Sequence, residues 1–91
     1  MDVKRAERFL KTLANKRRLE IVLILRGKRV ATVGELASDI KMPIKTTSKH
    51  LAILLAAGIV EREQVGPTAE YYLIEPLHLY TKTILSNLTS R

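Results

Sequence analysis

The chain has 91 residues, 46% of them hydrophobic, which suffices for one domain with its own core and argues against wholesale disorder. It carries 16 Lys and Arg against 9 Asp and Glu, a net charge of +7, which favours a polyanionic partner, either nucleic acid or an anionic membrane surface. The absence of cysteine excludes disulfides, thiolate metal sites and thiol redox switches.

The charge is unevenly placed. Residues 1–29 hold ten cationic residues and three acids, residues 30–58 three and two, and residues 59–91 three and four. The N-terminal surplus is open to three readings: a basic arm, a solvated helix face or a phosphate-gripping surface. The opening MDVKRAERFLK is charged and helical rather than an apolar signal segment, and the longest apolar run, Ile21 to Leu25, is too short for a bilayer. The expectation is a cytoplasmic protein with no membrane partner.

The spacing of Val3, Ala6, Phe9, Leu10 and Leu13, with Lys4, Arg5, Arg8 and Lys11 between them, predicts a first helix over 3–13. Asn15 is suited to cap a second helix from Lys16 to about Arg26, closed by Gly27. Its Leu19, Ile21, Val22, Leu23, Ile24 and Leu25 are apolar on nearly every side, which places it in the middle of the fold. Val30-Ala31-Thr32 reads as a short strand, and Thr32 as the cap of a third helix, Val33 to Ile40, with Glu35 in its first turn. Proline suits a helix start and not its interior, so Pro43 opens a fourth helix to about Ala57, stopped by Gly58.

Residues 59–64 and 69–74 read as two strands, joined by the turn Val65-Gly66-Pro67-Thr68 into a hairpin. Pro76 starts a last helix, to about residue 89, with an apolar stripe that includes Leu77, Tyr80, Ile84 and Leu88. The fold class is mainly α with a small β-hairpin: about five helices and two to three short strands in a single domain spanning 1–91.

Two helices joined by a short turn and followed by a β-hairpin describe a winged helix-turn-helix. On a helical wheel of the fourth helix, Thr47, Leu51, Leu54 and Leu55 fall on one side, and Lys45, Thr46, Ser48, Lys49, Ala52 and Ala56 on the other. The second face suits a major groove: lysines supply charge, hydroxyls hydrogen bonds, and alanines permit close approach. The plain alternative is a solvated helix face; the wing and the preceding helix favour DNA contact. His50 sits at the edge of the wheel, open to a base contact or a structural hydrogen bond. Arg17 and Arg18, in the first turn of the central helix, suit a phosphate, although Arg18 equally suits an internal acid. Arg62 and Thr68 are the wing candidates, and Ile53 faces away from the expected core.

The stretch Leu13-Ala14-Asn15-Lys16-Arg17-Arg18-Leu19-Glu20-Ile21-Val22 resembles the opening of the ArsR/SmtB family of bacterial and archaeal repressors. Glu35-Leu36-Ala37 followed by Thr46-Thr47-Ser48-Lys49-His50-Leu51-Ala52-Ile53-Leu54 is similar to that family's helix-turn-helix. Ala57-Gly58-Ile59-Val60 and Tyr71-Tyr72-Leu73 resemble its wing, so the likeness covers about residues 5–85. It implies a homodimer whose first and last helices (about 3–13 and 76–89) pack across a two-fold axis on double-stranded DNA. Val3, Phe9, Leu10, Leu77, Tyr80, Ile84 and Leu88 are the candidate interface residues; the alternative is that these stripes complete the monomer core.

The chain departs from the family's metal sensors. The helix before the turn reads Glu35-Leu36-Ala37-Ser38-Asp39 without cysteine, and the last helix offers only His78 with Glu75 before it. No metal and no cofactor are therefore expected, and the inducer is left open. No nucleophile, general base or phosphate loop clusters, so an enzyme is not expected. The leading expectation is a sequence-specific transcriptional repressor; the alternatives are a winged-helix protein-interaction module and a non-specific architectural DNA binder.

Overall fold

A computed structural model describes residues 2–74. Helix α1 (Val3–Leu13) begins where the Asp2 carboxylate accepts the Arg5 N–H at 2.8 Å. Helix α2 (Lys16–Lys28) begins in the same way, Asn15 accepting the Arg18 N–H at 3.1 Å. Each cap satisfies an amide that has no partner within its own helix.

The expected stop at Gly27 is not where α2 ends. The helix passes through that glycine to Lys28, and Arg29 turns the chain at φ 79° while its N–H bonds the Leu25 carbonyl at 2.9 Å. A glycine inside a helix costs only about 1 kcal/mol, so its presence does not enforce a terminus.

Strand β1 (Ala31–Thr32) leads straight into helix α3 (Val33–Ile40). Thr32 Oγ1 accepts the Glu35 N–H at 3.2 Å and Glu35 Oε1 accepts the Thr32 N–H at 2.8 Å, a reciprocal capping box. Helix α4 (Ile44–Ala56) has Pro43 at its cap position, one residue outside the helix, and Gly58 beyond it at φ 72°. Strands β2 (Val60–Val65) and β3 (Thr68–Leu73) pair antiparallel from Val60↔Leu73 to Val65↔Thr68. The turn is thus two residues rather than four: Gly66 takes φ 60° at the first position, and Pro67 follows, whose ring fixes a negative φ. The sheet order is β1-β3-β2, with Ala31 opposite Tyr71.

The core gathers around α2, as its all-round apolar sequence predicts. Ile21, Val22 and Leu25 are buried, while Leu19, Leu23 and Ile24 pack against the same cluster. Leu36 and Ile40 of α3, Leu51 and Leu54 of α4, and Ile59, Val60 and Leu73 at the base of the hairpin close around them. Phe9 corrects the expected interface: it is only 6% exposed and sits in the core with Leu13, four residues on along the same face of α1. Val3 and Leu10 stay exposed, at 86% and 55%.

The architecture is a winged helix-turn-helix, with four helices and a three-stranded sheet among the described residues. The expected last helix, with Leu77, Tyr80, Ile84 and Leu88, falls outside the described residues. Among the described residues no helix is long and apolar enough to cross a membrane.

Candidate nucleic-acid interface

The site starts from the turn between α3 and α4. Lys41 closes α3 in the left-handed conformation (φ 58°), and the Met42 N–H bonds the Ala37 carbonyl at 3.0 Å, which reverses the chain within three residues. Pro43, extended at ψ 148°, then aims α4 away from α3. The Pro43 carbonyl accepts both the Thr47 N–H at 3.0 Å and the Thr47 hydroxyl at 2.9 Å. Thr47 therefore buries its side chain without leaving a polar group unpaired.

Thr47, Leu51 and Leu54, each 0% exposed, pin one side of α4 to the core. Lys45, Ser48, Lys49, Ala52 and Ala56 are exposed on the other side, and Thr46 is half-buried between them. Leu55 departs from the expected core stripe: at 37% exposure it lies past the edge of the inward arc, which is narrower than the wheel implies. Ile53 faces outward as read from the sequence, at 44% exposure. Neither Lys45 nor Lys49 makes an ion pair or hydrogen bond through its side chain among the described residues. The first turn of α4 has no side-chain cap, so no side chain accepts from its amides. Free amides with a neighbouring ammonium can hold a phosphate, while the small polar face behind them fits a groove.

Arg17 and Arg18 hold the scaffold beneath this face. Arg17 Nη1 meets Glu20 Oε1 at 3.0 Å and donates to the Ile40 carbonyl at 3.2 Å, fixing the start of α2 to the end of α3. The internal acid anticipated for Arg18 thus belongs to Arg17. Arg18 instead donates from Nε to the Thr12 carbonyl at 2.6 Å, and its Nη1 lies 3.4 Å from His50 Nδ1. A guanidinium only donates, so this contact is a hydrogen bond with the tautomer of the neutral ring that carries its proton on Nε2 and accepts at Nδ1. Burial lowers the His50 pKa, and the Arg18 and Arg17 charges lower it further.

The wing is polar and exposed. Arg62 Nη2 donates to Gln64 Oε1 at 3.3 Å, and Gln64 Nε2 to the Gly66 carbonyl at 3.0 Å. The Thr68 hydroxyl donates across the turn to the Val65 carbonyl at 3.1 Å. Arg62 and Thr68 stay within the wing, away from Arg17, Arg18 and His50 at the α2–α4 junction.

Two contacts carry no sequence signal. Arg8 Nη2 donates to the Ala56 carbonyl at the end of α4, at 2.9 Å, and Lys28 Nζ meets Asp39 Oδ2 at 2.8 Å. Nothing sets these side chains apart from other charged residues on solvated faces. Among the described residues no three His, Asp or Glu side chains converge as metal ligands.

Residues 15–62, from the cap of α2 to the third residue of β2, match the model of the bacterial regulatory protein arsR family. The chain belongs to the ArsR family. Over 65 residues it is 37% identical to the transcriptional activator HlyU of Vibrio cholerae, an alignment spanning 71% of this chain and 59% of HlyU. The solved HlyU structure superposes with a TM-score of 0.87 at 30% identity, covering all of both chains. A homodimeric winged helix-turn-helix DNA-binding domain from Mycobacterium bovis gives 0.84 at 25% identity, covering 97% of this chain and 81% of that one. The transcriptional repressor PagR of Bacillus anthracis gives 0.81 at 25% identity, over 91% and 94%. This ArsR-family regulator thus carries its helix-turn-helix within the matched stretch.

Proposed function

We propose that this ArsR-family chain binds double-stranded DNA sequence-specifically as a homodimer and represses transcription in the cytoplasm. The observation that carries the reading is the exposed face of α4: Lys45, Ser48 and Lys49 stand free opposite the buried Thr47, Leu51 and Leu54. Ser48 and Lys49 address base edges, Lys45 and the uncapped amides address a phosphate, and Thr46 borders them. Arg62 and Thr68 touch the backbone from the wing. Arg18 and His50 act as positioning residues that keep α4 in place, and Arg17 ties the start of α2 to the end of α3.

The homodimer reading is supported by the homodimeric Mycobacterium bovis domain and by Val3 and Leu10, which α1 leaves exposed. Leu77, Tyr80, Ile84 and Leu88 of the terminal segment complete that interface in this proposal. Two-fold symmetry then sets the recognition helices about 34–36 Å apart, in successive major grooves. Repression follows from occupancy alone, because a dimer seated on promoter DNA excludes polymerase without any further surface. It operates without the family's metal ligands, since the chain has no cysteine and α3 reads Glu35-Leu36-Ala37-Ser38-Asp39.

The test is binding-site selection from genomic fragments at moderate salt, followed by transcription in vitro from the selected promoter. A discrete site, lost in Ser48→Ala and Lys49→Ala variants that still fold, and reduced transcript are expected. No preferred site, or an increased transcript, overturns the corresponding part of the proposal.

A further inference from the structure

Along α1 and the start of α2 lies an open groove of about 570 Å³, within the size range of small-ligand sites. Lys4, Arg5, Arg8, Lys11 and Arg18 line it, and Glu7 is the one acid among its described lining residues. Lys11 lies 3.6 Å from that carboxylate, which leaves the other four cations without a carboxylate partner among the described residues. Arg8 and Arg18 do make hydrogen bonds, but to neutral acceptors: the Ala56 and Thr12 carbonyls and the His50 ring. Neutral acceptors occupy some guanidinium donors and leave the charge uncompensated, with further N–H groups to spare. Burial lowers the His50 pKa, and the Arg18 charge adds to that lowering.

At about 100° per residue, Lys4, Arg8 and Lys11 fall together on one side of α1, and Val3 and Leu10 on another. The groove also adjoins α4, at Ala56 near its C-terminal end through Arg8 and at His50, next to Lys49, through Arg18.

We infer that this groove binds a small multivalent anion, one bearing phosphates or several carboxylates, and that its occupancy weakens DNA binding. Two consequences of occupancy act in the same direction. An anion that draws the Arg8 and Arg18 side chains toward itself pulls them from the Ala56 carbonyl and His50 Nδ1, the contacts through which those arginines hold α4. It also neutralises cations beside the surface that attracts a polyanion. The coupling is reciprocal: DNA lowers the affinity for the anion by the same factor.

The test titrates inorganic pyrophosphate into the full chain by calorimetry, without DNA, so its outcome is independent of the proposed regulatory role. Saturable binding is expected, weakened about tenfold in a Lys4→Gln, Arg5→Gln double variant whose thermal unfolding is unchanged. In a second arm, anisotropy of a labelled DNA site is measured at constant ionic strength. At a pyrophosphate concentration that just saturates the wild type, affinity should fall about fivefold or more in the wild type and clearly less in the variant. Non-saturable uptake, or equal binding by the variant, overturns the anion site. A variant that itself loses DNA affinity with a shallower salt dependence assigns the groove to the DNA footprint and overturns the inference as well.

Discussion

Lys45→Ala separates charge on the recognition face from the stability of the helix that carries it. Lys45 is the second residue of α4, exposed, at a helix N-terminus with no side-chain cap. A cation there opposes the helix dipole, and alanine is the better helix former, so the substitution should leave the melting temperature unchanged or raise it by a few degrees. Binding responds differently. Each phosphate charge neutralised contributes about 0.9 to the slope of log K against log salt, so a two-fold complex that loses Lys45 twice loses about 1.8 from that slope. Between about 50 and about 200 mM salt, the fall in affinity should therefore be about twelvefold smaller for the variant than for the wild type. Fluorescence anisotropy across a salt series, with thermal unfolding alongside, reads both quantities. An unchanged slope would remove Lys45 from the DNA contact, and a clear drop in melting temperature would make it a structural residue.

The two apolar residues at the middle of α1 should behave oppositely. Leu10→Asp is expected to give a folded monomer by sedimentation, whereas Phe9→Ala, buried at 6% exposure, should cost about 3–5 kcal/mol in urea unfolding. Thr32→Ala removes the side-chain half of the capping box and should cost about 1 kcal/mol in the same assay. His50 gives a pH dependence whose direction follows from its lowered pKa. The unfolded chain takes up the proton first, so the stability held by the neutral ring is complete above the ordinary value of 6.5 and is lost as pH falls through the lowered folded value. Melting temperatures measured downward from about pH 8 should decline in that window, and decline less for His50→Gln.

Local chemistry made much of the fold readable. Asn15 and Thr32 announce helix starts because their side chains match orphan amides, and Pro43 marks the α4 entry because its ring excludes it from a helix interior. Gly27 misled for the converse reason: glycine permits a terminus without demanding one, and the positive φ fell on Arg29. Phe9 and Leu10 are adjacent and similarly apolar, so periodicity alone does not say which face meets α2 and which is left for a partner. At the candidate interface, the inward arc of Thr47, Leu51 and Leu54 was legible because a helix offers only one side to its core. The arginines were not. Arg17 read as a phosphate ligand, and Arg18 as that or the partner of an internal acid, because long cationic side chains are compatible with several neighbours; besides Glu20 and His50, they found the Ile40 and Thr12 carbonyls, backbone groups without sequence identity.

Thr32 is the final residue of β1 and also the cap of α3, with no linker between the two duties. The wing's return strand and the first helix of the helix-turn-helix are consequently joined at a junction of fixed length. An extra residue inserted there has to break either the Thr32↔Glu70 pairing or the bond to Glu35, while the two-residue tip at Gly66 and Pro67 is free to lengthen. Changes in chain length are thus accommodated at the far end of the hairpin and refused where β1 pairs with the middle of β3, which keeps any engineered extension of the wing from tilting the helices beneath it.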